Sequence, residues 1–188
     1  MKRRHNWLLA LGLGLMLAGL VLVLGSALVR HLWQTQASRL AGQIEALLPD
    51  RSVGVPEDYS SMDMPALSLD GQDFIGLVEL PAYGIQLPLC GHWQPGKVGK
   101  YPCRLDGTLY NDSLIIGASA SQLSCVKTVG HGDLVTVTDL QGAVYTYRVS
   151  NIRRADNADL STLKREDARL VLFVRDLYTM EYIIVSCA

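Results

Sequence analysis

Twenty-three consecutive residues, Trp7 to Val29, carry no charge, and ten of them are leucine. At about 1.5 Å per residue, a helix through this run is roughly 34 Å long, enough to cross a hydrocarbon layer of about 30 Å with modest tilt. The run predicts a transmembrane helix over 7–29 and argues against a soluble cytoplasmic protein. Lys2, Arg3 and Arg4 precede it and only Arg30 follows closely. The positive-inside rule then makes residues 1–6 a cytoplasmic basic tail and places the rest of the chain outside. A cleaved signal peptide is the competing expectation, since Gly25 and Ala27 offer a small-x-small site, but its apolar region spans only about 7 to 15 residues. Ala10, Gly14 and Ala18 form a small-residue stripe, a spacing that also arises by chance in a glycine-rich membrane helix.

Of the 188 residues, 49% are hydrophobic. Setting the anchor aside brings the remainder to about 45%, the ordinary value for a globular domain, and its length fits one domain with a core of its own. The chain holds 17 Lys and Arg and 18 Asp and Glu. Because three of the basic residues precede the anchor, the part beyond it is acidic. With no basic stripe, recognition motif or phosphate-binding loop, nucleic acid is excluded as a partner. Cys90, Cys103, Cys125 and Cys187 all fall on the exported side without a C-x-x-C pair. All disulfide connectivities stay open, Cys90 with Cys103 closing the shortest loop, and a buried thiol is the plain alternative for each. His5, His31, His92 and His131 are irregularly spaced, so neither a zinc site nor any other metal or cofactor is expected.

From His31 to Leu48, apolar Leu32, Leu40, Ile44, Leu47 and Leu48 alternate with polar residues at roughly helical spacing, predicting an amphipathic stalk helix that stops at Pro49. Residues 50–72 hold Pro56, Pro65 and a Ser-Ser pair without a period and read as a linker. The domain is expected over 73–188. Phe74 to Leu80, Tyr83 to Leu89, Leu114 to Ile116, Arg169 to Val174 and Tyr182 to Val185 read as short strands. Leu134 to Thr138 alternates strictly, and Val144 to Val149 follows after a Gly-containing loop, which predicts a hairpin. Ser121 to Lys127 and Asp159 to Glu166 read as short helical or irregular crossings. This many short strands in so few residues predict a mainly β, closed barrel of about seven to eight strands with short helices.

The order of phrases from Phe74 to Cys187 resembles the sortase family, in its class B-like clostridial group. Phe74 to Leu89 (FIGLVELPAYGIQLPL) is similar to the family's opening strand pair, and Tyr101-Pro102-Cys103-Arg104 with Gly107 resembles its "P-C-R-Y-x-G" phrase. Gly132-Asp133-Leu134-Val135, Thr138-Asp139 and Gly142 resemble the "G-D-x-V-x-x-T-D-x-x-G" hairpin. Leu114-Ile115-Ile116 and Leu170-Val171-Leu172-Phe173 sit where the family's strands lead to its catalytic His and Cys. The resemblance implies a single-pass protein at the outer face of a Gram-positive membrane. It also implies a Cys thiolate that attacks a cell-wall sorting signal, a His acid-base and an Arg that stabilises the oxyanion.

Carried over position by position, each of these is replaced. Ile115-Ile116-Gly117-Ala118-Ser119 meets the "I-I-A-G-H" phrase, so Ser119 stands at the His. Leu172-Phe173-Val174-Arg175 meets "L-F-T-C", so Arg175 stands at the Cys, and a guanidinium is neither a nucleophile nor deprotonated in proteins. Tyr182 or Ser186 stands at the Arg. The expectation is a pseudoenzyme whose groove, including His92 and Trp93, binds or scaffolds a cell-surface protein or a sorting-signal-like peptide. In that groove Arg175 suits a carboxylate, with an ion pair to Asp176 or Glu181 as the plain alternative. Two other functions compete. One is an active transpeptidase using a relocated Cys187 or Cys125, with His131 as the available imidazole. The other is a purely structural envelope protein.

Overall fold

The computed structural model describes residues 2–49, 52–53, 64–93, 100–164, 168–176 and 179–188. Most of the expected linker, and the Pro95, Gly96 and Gly99 that follow Trp93, lie outside these residues, as do the side chains of His5, Ala10 and His31. The chain forms two compact units, residues 1–36 and 37–188.

The first unit is helical. Helix α1 runs from Lys2 to Leu47, and its segment Gly12–Val29 has a mean hydropathy of 2.3 with none of it buried. That segment is long and apolar enough to cross a membrane. The anchor expected over 7–29 and the stalk expected from His31 both fall on residues of α1. No proline interrupts the chain until Pro49, and the residue before a proline is pushed out of the helical region.

The second unit opens with the last turns of α1. Ala37, Leu40, Ala41 and Ile44 are at most 5% exposed and recur at the i, i+3, i+4, i+7 positions of one helix face. Leu40, Ala41 and Ile44 pack with Phe74, Leu77, Cys90 and Cys103 on the outside of a β-barrel. Leu32 and Leu47, expected on this face, are exposed instead. The expected Leu40 and Ile44 are joined in the stripe by Ala37 and Ala41, whose small side chains carry little hydrophobic signal in sequence.

The strands are β1 (Ser52–Val53), β2 (Leu67–Leu69), β3 (Gln72–Leu80), β4 (Ile85–Cys90), β5 (Cys103–Asp106), β6 (Leu114–Ser119), β7 (Leu134–Asp139), β8 (Ala143–Ala155), β9 (Leu170–Arg175) and β10 (Tyr182–Cys187). Hydrogen bonding runs β3-β4-β5-β6-β9-β10-β8-β7 and returns to β3, which closes eight strands into a barrel. Two-residue β1 and three-residue β2 are added at the edges of β8 and β3. The expected closed barrel is therefore the observed one. The predicted hairpin is β7–β8, whose turn is tied by Asp139. Its carboxylate accepts from the Gln141 and Ala143 amides at 2.9 Å each, while Gly142 takes φ 81°. Short helical elements fill both expected crossings, as a 3-10 turn at Ser124–Lys127 and helix α2 at Leu160–Leu163.

Alternation along each strand sorts the side chains. Ile116, Ala118, Leu172, Val174, Ile183 and Val185 face the barrel interior. Ile115, Val171, Phe173 and Ile184 face outward, where Leu163 of α2 and the Trp93 ring cover them.

Candidate functional site

Three strands meet at one end of this covered outer face. β6 and β9 run parallel with Ser119 opposite Arg175, and β10 runs antiparallel to β9 with Tyr182 opposite Arg175. Ser119, Arg175 and Tyr182 therefore stand side by side, each at a strand terminus. Alternation gives them the same face as Gly117, Phe173 and Ile184 two residues away. Ser186 does not join the row. It lies four residues along β10, about 13 Å away at strand rise, is 1% exposed, and keeps its hydroxyl unpartnered.

Behind the row lies an apolar floor. Trp93 stacks at 5.4 Å from Phe173, and Phe173 lies 6.3 Å from Tyr182. The indole fits because position 117 is glycine. A Cβ there would stand 2.1 Å from Trp93 Cζ3 and 2.5 Å from Phe173 Cζ. One flank is closed by the segment carrying α2, where Arg153 donates to the Thr162 carbonyl. His92 is exposed beside Trp93.

The polar end of the floor is arranged differently from the simplest expectation. Arg175 is exposed, and its Cζ lies 5.8 Å from the Tyr182 ring centroid, within cation-π range. The expected ion pairs of Arg175 with Asp176 or Glu181 are absent among the described residues. Asp176, only 3% exposed, takes Lys127 Nζ at 2.9 Å and Arg154 Nη1 at 3.7 Å. Arg154 also reaches Glu181 at 3.5 Å. Consecutive residues of a strand point to opposite faces, so Asp176 is carried away from its neighbour. On the other side of Arg175, the Ser119 hydroxyl shares a 2.8 Å hydrogen bond with that of Ser121.

The alternative nucleophiles are elsewhere. Cys187 is completely buried among barrel-interior residues, and burial pushes its thiol up to about 12. It sits at the far end of β10 from Tyr182. Cys125 lies in the 3-10 turn, half-buried, with its thiol also raised mainly by burial. His131 is exposed, and its Nδ1 lies 3.0 Å from the Ser150 carbonyl. No hydrogen bond joins it to either thiol. No cluster of metal-ligating side chains occurs among the described residues. Sequence reasoning missed the Asp176, Lys127 and Arg154 group, whose members come from three separate segments.

No family model and no curated protein matches the chain. Solved structures do. Sortase C1 from Streptococcus agalactiae superposes with a TM-score of 0.54 at 21% identity, over 64% of this chain and 69% of that one. The chain has the sortase fold. Sortase C from Clostridium perfringens, determined with the C-terminal cell wall sorting motif, is similar with a TM-score of 0.52 at 19% identity, over 62% of this chain and 70% of its own. The Clostridium perfringens sortase D5 transpeptidase gives 0.55 at 13% identity, covering 61% and 78%. These structures of similar fold are sortases of classes C and D, whereas the class B-like assignment rests on the sequence phrases alone.

Proposed function

We propose that the chain is a membrane-anchored, sortase-fold pseudoenzyme that binds an extended peptide or cell-surface protein segment without transpeptidation. The carrying observation is the row Ser119, Arg175, Tyr182. The motif phrases assign these positions to the family's His, Cys and Arg, and the strand register brings the same positions together. None of the three supports thioacyl chemistry. A serine hydroxyl has a pKa too far from neutral to serve as the acid-base group, a guanidinium is not a nucleophile, and a donor to the oxyanion has no part to play where no thiol stands in the row. Cys187 is buried and its thiol strongly raised, which supports a structural role for it.

The apolar segment Gly12–Val29 supports single-pass anchoring, and the charges around it support a cytoplasmic N-terminus with the barrel outside. The peptide occupant is suggested by the Clostridium perfringens sortase C determined with the C-terminal cell wall sorting motif. The class B-like subgroup and the Gram-positive surface belong to the same reading and rest on the phrases.

The test uses the full chain in detergent with sorting-signal peptides, an amine acceptor and a thiol-reactive probe. Saturable peptide binding with neither thioacyl adduct nor amine-exchanged product is expected. Turnover that disappears in Cys187→Ala or Cys125→Ala overturns the pseudoenzyme reading. No binding at all leaves a purely structural envelope protein.

A further inference from the structure

We propose that Trp93 is an internal occupant of the peptide site, its indole filling the bed that an aromatic side chain of a bound peptide takes once the indole has left. The inference rests on this face being a peptide-binding surface, and it adds what closes the surface and which side chain it selects. The bed is shaped for a flat ring. Gly117 stands between Cys103 of β5 and Phe173 of β9 in the sheet, and its φ lies outside the left-handed region that favours glycine. What the missing Cβ supplies is room. Trp93 Cζ3 and Cη2 lie 2.1 and 2.8 Å from where it would stand, so the indole rests on the β6 backbone itself. The Phe173 ring forms the other wall, 5.4 Å from the indole and tilted by 34°, within the range of attractive aromatic pairs. Phe173 is two residues from Arg175 on β9 and 6.3 Å from Tyr182, so the bed adjoins the row. With the indole in place Phe173 is only 4% exposed, and the surface is closed.

Two elements cover this face, and they are held differently. Leu163 is fully buried and sits on α2, whose Leu163 and Lys164 amides donate to the Asp159 and Leu160 carbonyls at 3.0 and 2.9 Å. The Thr162 hydroxyl donates to Asp159 at 2.7 Å, and the Thr162 carbonyl takes Arg153. Trp93 has no such ties. Its segment is fixed at Gly91, whose amide donates to the Asp73 carbonyl and whose carbonyl accepts from Arg104 Nε, at 2.9 Å each. Beyond Gly91, neither His92 nor Trp93 makes a hydrogen bond among the described residues. His92 is exposed and Trp93 is itself partly exposed, so the indole is an outer layer kept by apolar contact. Rotation of the chain after Gly91 lifts it from the bed while the bonds of Gly91 and α2 stay made. An incoming aromatic ring remakes the contacts that the indole gives up, whereas a peptide of small side chains leaves the Phe173 wall uncovered.

The test uses the full chain in detergent with Trp7→Phe and Trp33→Phe, which leaves Trp93 as its only tryptophan. The probes are a sorting-signal peptide and a set in which Phe replaces each of its residues in turn. Calorimetry reads binding, and Trp93 emission is followed in the same titrations. A bound Phe peptide should shift the emission to the red and raise its quenching by acrylamide. Trp93→Ala should bind that peptide about 10-fold more tightly, the gain expected when an internal competitor holding about nine-tenths of the population is removed. The gain should be smaller for the parent peptide, and free indole should compete with the Phe peptide in Trp93→Ala. Trp93→Phe, with a smaller ring, should fall between, and it carries the test if thermal unfolding shows that Trp93→Ala does not fold. Binding that leaves the emission unmoved, or that is equal or weaker in the folded Trp93 variants, overturns the internal occupant and leaves the peptide-binding reading standing. An equal gain for the parent and every Phe peptide overturns the aromatic selection. Absence of binding in the wild type and in every folded Trp93 variant overturns the peptide-binding reading itself.

Discussion

Gly117 is the residue on which the floor of the groove depends, since a Cβ there meets the Trp93 indole at 2.1 Å and the Phe173 ring at 2.5 Å. Gly117→Ala should destabilise the protein by about 1–3 kcal/mol through overpacking, measured by urea unfolding, and adding Trp93→Ala should recover part of the loss. An unchanged midpoint would mean that the indole does not occupy this site. A second residue-scale expectation concerns pH. Burial pushes the Cys187 thiol up to about 12 and also raises the Tyr147 phenol. Both groups stay protonated in the fold, whereas an unfolded thiol ionises near its usual value of about 8.5. Their contribution to stability is therefore complete below about pH 8.5 and is lost as pH rises toward the folded values. The urea midpoint should fall between about pH 8.5 and 10.5, less steeply in Cys187→Val. An equal slope in the variant would remove Cys187 from the account.

Between elements, the buried Asp176 carboxylate ties the β9–β10 turn to the 3-10 turn through Lys127 and to β8 through Arg154. Asp176→Asn takes the carboxylate from Lys127 and leaves Arg154 with Glu181 alone. It should lower stability by about 1–3 kcal/mol, below the usual cost of breaking a fully buried pair because both cations are partly exposed. Wild-type stability in Asp176→Asn would show that the turn holds without it. β4 and β5 meet at a single register pair, Cys90 with Cys103, and both side chains lie in one apolar cluster. Neighbouring strands lie about 4.8 Å apart, within the Cα span of a disulfide. Refolding in a glutathione buffer should therefore give the Cys90 to Cys103 bond in preference to any bond to Cys125 or Cys187. Peptide mapping by mass spectrometry decides it, and a bond to Cys187 would contradict the register.

What was legible in sequence follows the range of the interaction. The β7–β8 hairpin could be read because its alternation and its turn are local. The seven strands read from sequence correspond to strands of the barrel, but β5, with one Cys, Arg, Leu and Asp, has no alternation to show. The ion pairs were misjudged because Asp176 was paired with its sequence neighbour. Its partner Lys127 is 49 residues away, in the 3-10 turn that follows β6.

At the scale of the whole chain, the barrel unit begins at Ala37, with four helical residues at most 5% exposed. A fragment of 37–188 should fold as a monomer in buffer. One starting at residue 49 uncovers Phe74 and Leu77 and should aggregate or melt lower, which light scattering and thermal unfolding separate. Equal behaviour of the two would show that α1 adds nothing to the barrel. The order of strands has a further consequence for biogenesis. β10 lies between β8 and β9, and β9 lies between β6 and β10, so the two strands made last occupy the middle of the wall. Until they arrive, β6 and the second half of β8 are bare edges, open to pairing with any other extended chain. A ribosome or translocon that delivers the barrel from its N-terminal side thus presents an unclosed cylinder until β10 emerges. Loss of a short C-terminal piece would remove the closing stave, whereas loss of the same length from the basic tail would leave the wall whole.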